Sequence, residues 1–153
     1  MTYQIHGLPA EPFQSLFEMA DEALAKREAR RTIADGPGFP CRISLEEAEP
    51  GEVVVLVNHV SQPAPTPFRA SHAIYVRKDV KPAQLVDEVP ALFATRTLGL
   101  RGFDEEGMMR GALLAPPGEA EAGILELFRR KEIAEVHVHT AALGCFLARA
   151  ERN

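Results

Sequence analysis

Apolar residues recur along this chain in two rhythms, one of three to four positions and one of two. Between Pro12 and Arg31 they fall at Phe13, Leu16, Phe17, Ala20 and Leu24, one helical stripe, and predict a helical N-terminal segment in which Asp21 caps a second short helix. Lys26, Arg27, Arg30 and Arg31 form its basic end and read as a solvated face, with Glu22 four residues before Lys26 in the favourable orientation. Positions Ala120, Ile124, Leu127, Phe128 and Lys131 predict an amphipathic helix whose first turn holds Glu119 and Glu121. A further helix is predicted over Pro82 to Arg96, interrupted at Pro90.

The shorter rhythm marks strands. Val53 to Val57 is apolar throughout and predicts a strand covered on both faces, central in a sheet. Ser71 to Arg77 and Thr97 to Phe103 alternate, and Gly107 to Leu114 pairs with the latter around a turn at Asp104–Gly107. Ile133 to His139 and Cys145 to Arg149 form a hairpin through Thr140–Gly144. Pro and Gly cluster at 36–40, 63–67 and 116–118, as loops inside one unit rather than linkers. The expected architecture is α+β: a single compact domain over 1–153 with a mixed, mostly antiparallel sheet packed by two or three helices.

Composition narrows the function classes. A chain of 153 residues, 46% hydrophobic, is long enough to form a core without disulfides or a structural metal. Its net charge of -5 argues against nucleic acid or an anionic membrane as the main partner. The longest aliphatic run, Val53 to Val57, is far short of the roughly 20 residues that cross a bilayer, and the start MTYQIHGLPAEPF does not read as a secretory signal. Two cysteines, Cys41 and Cys145, suit free thiols in a reducing cytoplasm. P-loop, dinucleotide, hydrolase-elbow and H-E-x-x-H patterns are all absent from the sequence.

The chemistry-bearing residues gather in four stretches. In EVHVHT, alternation puts Ala134, Val136 and Val138 on a core face, and Glu135, His137 and His139 on one that carries ligands or meets water as half-exposed histidines. His137 and His139 stand about 6.6 Å apart along the strand and can lean toward one metal, with His72, His59 or Asp104 to complete a set; Glu135, about 13 Å from His139, is a poor third ligand. His72 alternates with Ile74 and Val76 toward the core, while Ser71 shares the opposite face with Tyr75 and Arg77. Arg69, Ser71 and His72 follow the proline-rich loop QPAPTPF, where binding groups often sit. Cys41, beside Arg42 after a rigid Gly/Pro turn, is either a nucleophile with a cation-lowered pKa or a small buried hydrophobe, and Cys145 after Gly144 reads likewise.

The segments GFPCRISLEEAEPGE (38–52), PFRASHAIYVR (67–77), LGLRGFDEEGMM (98–109) and VHVHTAALGCFLAR (136–149) resemble, in order and spacing, the bacterial domain-of-unknown-function family numbered 1203. The resemblance implies a compact domain and supplies no mechanism. It singles out Cys41, Arg42, Arg69, Ser71, Arg101, Asp104, Gly107, His137, His139, Gly144 and Cys145, a set too polar for packing alone. The leading expectation is therefore a site for a small anionic molecule, in which Arg42, Arg69, Ser71, His72, Arg101 and Cys145 bind while His137, His139 and Cys41 are the candidate catalytic groups. A non-enzymatic interaction or structural module, a His-x-His metal site and a thiol chemistry are the alternatives. No cofactor is named, and a homodimer is admitted because small domains often form them.

Overall fold

The strands sort into two sheets rather than one in the computed structural model, which describes residues 2–153. Six strands form the larger sheet: β1 (Tyr3–His6), β5 (Gln84–Val86), β6 (Leu98–Phe103), β7 (Met109–Ala115), β8 (Glu135–Thr140) and β9 (Phe146–Arg152), in the order β5-β1-β9-β8-β6-β7. The smaller holds β2 (Ala29–Ile33), β3 (Val53–Gln62) and β4 (Ala70–Arg77), with β3 in the middle. All ladders between these strands are antiparallel, so the expected single mixed sheet is corrected to two antiparallel ones. The β6–β7 and β8–β9 hairpins and the central position of Val53–Val57 are as the alternation predicts. Val54 and Val55 are both buried, one on each face of β3, against separate apolar clusters.

Helices contribute less than expected. α1 (Glu11–Gln14) and α2 (Asp21–Lys26) are short, because the chain is extended at Met19 and Ala20 and splits the predicted stripe. Phe13, Leu16 and Leu24 still bury together, against Val55, Val57, Ile74 and Val76 of the smaller sheet. Asp21 opens α2 without capping it through its side chain; instead it pairs with Arg31. Glu28 adopts φ 54, and the chain turns into β2, so Arg30 and Arg31 lie on a strand and not at a helix end.

The helix expected over Pro82 to Arg96 is replaced by β5 and one 3-10 turn, Ala91–Phe93. Leu85 pairs with Ile5, and Ala83, Leu85 and Val89 reach the main core from extended backbone, where ladder bonds to β1 satisfy the chain. α3 (Ala120–Phe128) forms where predicted and packs Ala120, Ile124, Leu127 and Phe128 on Leu98, Leu100, Val136, Val138, Ala148 and Ala150. One face of the large sheet is thus filled by α3, which leaves its other face for the small sheet to cover. None of the described helices is long and apolar enough to cross a membrane.

The corner after β1 is as tight as the backbone allows. Gly7 N–H donates to Ala83 O, and a Cβ on Gly7 would stand 1.8 Å from Ile43 O. Gly7→Ala is therefore expected to cost about 3 kcal/mol in urea unfolding, whereas Gly36→Ala, in open space, stays within about 0.5 kcal/mol. Equal midpoints for the two variants would contradict this packing.

Candidate functional site

The alternation of β8 is as read from the sequence, but its polar face is not wet. His137 and His139 are each 2% exposed, so the half-exposed reading is corrected. A bulge causes the covering: Val138 pairs with Ala148 and His139 with Phe146, leaving Leu147 as the extra residue of β9. Leu147 and Ala148 both enter the core and Phe146 turns onto the histidine face, its ring 5.5 Å from His137 and 5.8 Å from His139. Phe103 lies 4.7 Å from His137, and His72 crosses from β4 to meet His139 edge-on at 4.9 Å. His59 is the cross-strand partner of His72 and stands 6.1 Å from Phe146. Four of the chain's five histidines therefore meet along one seam between the sheets.

Hydrogen bonds fix how these rings are protonated. Gly144, at φ 73, turns its carbonyl to His139 Nδ1 at 3.0 Å; a carbonyl only accepts, so Nδ1 carries the hydrogen and Nε2 the lone pair. Burial, reinforced by Arg101, His72 and His137, drives the His139 pKa down to about 3 despite that bond, and the ring is neutral at pH 7. Burial lowers His59 as well, and lowers His72, whose ring also feels the charges of Arg101 and Arg42. His72 Nδ1 is 3.2 Å from the hydroxyl of Ser61, the extra residue of a second bulge in β3. His137 differs: its Nε2 is 2.9 Å from a Glu135 carboxylate oxygen, while its buried Nδ1 has no partner. Burial works to raise Glu135, but the hydrogen bond to His137 and the charges of His137 and Arg149 outweigh it and hold the carboxyl below its usual range.

The arginines divide. Arg42 is only 4% exposed and spends its donors on main chain, Nε on Phe146 O at 2.8 Å and Nη1 on Pro40 O at 2.7 Å. Burial lowers its pKa to about 10, so it stays charged at pH 7, and no carboxylate pairs with it. Arg101, opposite His137 in the β6–β8 ladder, is half-buried, has its pKa lowered by burial, and among the described residues has neither hydrogen bond nor ion pair. Its Nη2 is 4.0 Å from where a Cβ on Gly144 would stand. Arg31, Arg77 and Arg96, comparably buried, are each neutralised, by Asp21, Glu52 and Glu47.

Other expected site residues fall outside the seam. Arg69 is exposed and donates to Pro63 O, and Ser71 lies exposed on the opposite face of β4 from His72. Cys41 is fully enclosed, its sulfur accepting the N–H groups of Ile43 and Ser44, which is a packing role. Cys145 is half-buried at the seam's end, and both sulfurs lie close enough to Arg42 to act on its charge. Among the described residues no three His, Cys, Asp or Glu side chains are grouped to hold a metal ion, and Asp104 is committed to its own turn and to Arg110. A cleft of about 790 Å³ lies elsewhere, and its two arginines, Arg77 and Arg96, are already paired.

Sequence reasoning left out one role of Glu135. Set against His139 it is remote, but two residues from His137 on the same face it is a hydrogen-bond partner, a relation the strand period already contained. Phe146 was hidden because the bulge that turns it has no sequence signal.

The family model described as protein of unknown function DUF1203 matches residues 38–152. No curated protein and no solved structure matches the chain. The matched range holds β3 to β9 and every residue of the seam.

Because the unfolded His139 ring takes up a proton near pH 6.5 and the folded one only near 3, stability falls as pH drops through that window, by about 1.4 kcal/mol per pH unit for each such proton. His139→Asn, which keeps a donor for Gly144 O, should show a shallower acid slope of unfolding free energy between pH 6 and 4. A slope unchanged from the parent would contradict the buried neutral ring.

Proposed function

The chain belongs to the DUF1203 family, whose name assigns no chemistry, and we propose from the seam that it binds a small oxyanion, a carboxylate or phosphate, against Arg101 and His72. The observation that carries the reading is the charge left over there. Arg42 and Arg101 both act on His72, and no carboxylate neutralises either guanidinium. An acidic protein of net charge -5 that leaves two cations unpaired in a partly desolvated seam has a ready place for an anion.

The two arginines have separate tasks. Arg42 is spent on carbonyls and supplies fixed positive potential, while Arg101 has a free guanidinium whose paired donors suit an oxyanion. His72, kept neutral, adds a hydrogen bond without competing charge. The alternative, an interaction module, draws on the exposed Leu113 and Leu114 of edge strand β7; two leucines on an edge are ordinary surface, and the reading is not preferred.

Thermal unfolding with phosphate, acetate and related small anions tests the proposal. At about 100 times its dissociation constant a ligand stabilises by about 2.7 kcal/mol, which raises Tm by about 5–10 °C in a domain of this size. Arg101→Gln should abolish that shift and Arg69→Gln should leave it. A flat panel, or a shift that survives in Arg101→Gln, would overturn the reading.

A further inference from the structure

Resting on the anion site just described, we propose that His137 Nδ1 accepts a hydrogen bond from a hydroxyl carried by the bound anion, so that the ligand class is a small oxyanion bearing a hydroxyl group. Among the described residues, His137 Nδ1 is the one ring nitrogen of the seam that is both buried and without a partner. A buried polar atom left unsatisfied costs free energy, and a ligand group that satisfies it recovers that cost.

The identity of the ligand group follows from the tautomer. Glu135 is held ionised and accepts only, so His137 Nε2 carries the hydrogen. In the neutral ring Nδ1 is then a bare lone pair, and only a donor fits it. Glu135 is a positioning residue: it sets the tautomer.

The ladder supplies the spacing. Arg101 and His137 are direct partners across β6 and β8, so their Cα atoms are about 5 Å apart and their side chains share a face. An oxyanion on Arg101 therefore places a neighbouring hydroxyl within the span of a molecule of a few heavy atoms. Phe103 and Phe146 wall the ring, and His137 also lines a polar cleft of about 470 Å³ with Ser61, Gln62, Glu135 and Arg149, which Arg101 and His72 do not line. Arg101, held by no bond, is the side chain free to yield as a ligand enters. The charged and titratable groups facing His137 are Glu135 and His139 on its own strand, Arg101 on β6, Arg149 on β9 and His72 on β4.

Imidazole nitrogen NMR on the full chain, labelled at histidine, tests this with two matched pairs: glycolate against acetate, and glycerol phosphate against propyl phosphate. The free protein should show His137 protonated at Nε2 and bare at Nδ1. The hydroxyl-bearing member of one pair should bind at least about tenfold tighter than its partner and perturb Nδ1, and the pair that does so names the anion as carboxylate or phosphate. Glu135→Gln should erase the hydroxyl preference without weakening the hydroxyl-free member. A protonated Nδ1 in the free protein, or equal binding within both pairs while acetate or propyl phosphate still binds, would overturn this inference and spare the anion site. Absence of binding by all four would overturn both.

Discussion

A β-strand that slips by one residue turns each of its side chains to the opposite face, and β8 is where this fold least tolerates a slip. Its strict alternation gives α3 a wall of Val136 and Val138 and gives the space between the sheets Glu135, His137 and His139. Everything else at the seam is placed relative to that register: Arg101 across one ladder, Phe146 across the other through a bulge, and His72 from the smaller sheet packed over His139. A one-residue slip would bury two imidazoles and a carboxylate beneath α3, where no partner waits for them.

Enclosing that face has an electrostatic consequence. Histidines removed from water lose their charged forms, and His59, His72 and His139 become neutral spacers around two guanidiniums that remain charged. Elsewhere the chain pairs its half-buried arginines with carboxylates, so an arginine left without one in this setting is a departure from the molecule's own practice. Such departures concentrate at binding sites, where stability is given up for function.

The longer strands and α3 were the more legible in sequence. Alternation in SHAIYVR, LGLRGF and EVHVHT and the spacing of Ala120, Ile124 and Leu127 reported local periods that the fold keeps. The N-terminal stripe failed because Phe13, Leu16 and Leu24 bury together from α1, a 3-10 turn over Ser15–Glu18 and α2, with extended backbone before α2, and apolar spacing does not distinguish that from one helix. Ala83, Leu85 and Val89 failed similarly, since an extended segment reaching into a core can match helical spacing over so short a run. The division into two sheets left no trace, because it depends on which strands pair at long range. Of the site, the face shared by His137 and His139 was readable; the convergence of Arg101, His72 and Phe146 on it was not, since those positions come from three other strands.

The central claim is that Arg101 is kept for a ligand and not for the fold, and the stability of Arg101→Met without any added anion tests it most directly. An unpaired, half-buried guanidinium replaced by an apolar side chain of similar reach should leave unfolding free energy unchanged or raise it by about 1 kcal/mol. A loss of about 2 kcal/mol or more would mean that Arg101 holds the two sheets together, and would contradict the account.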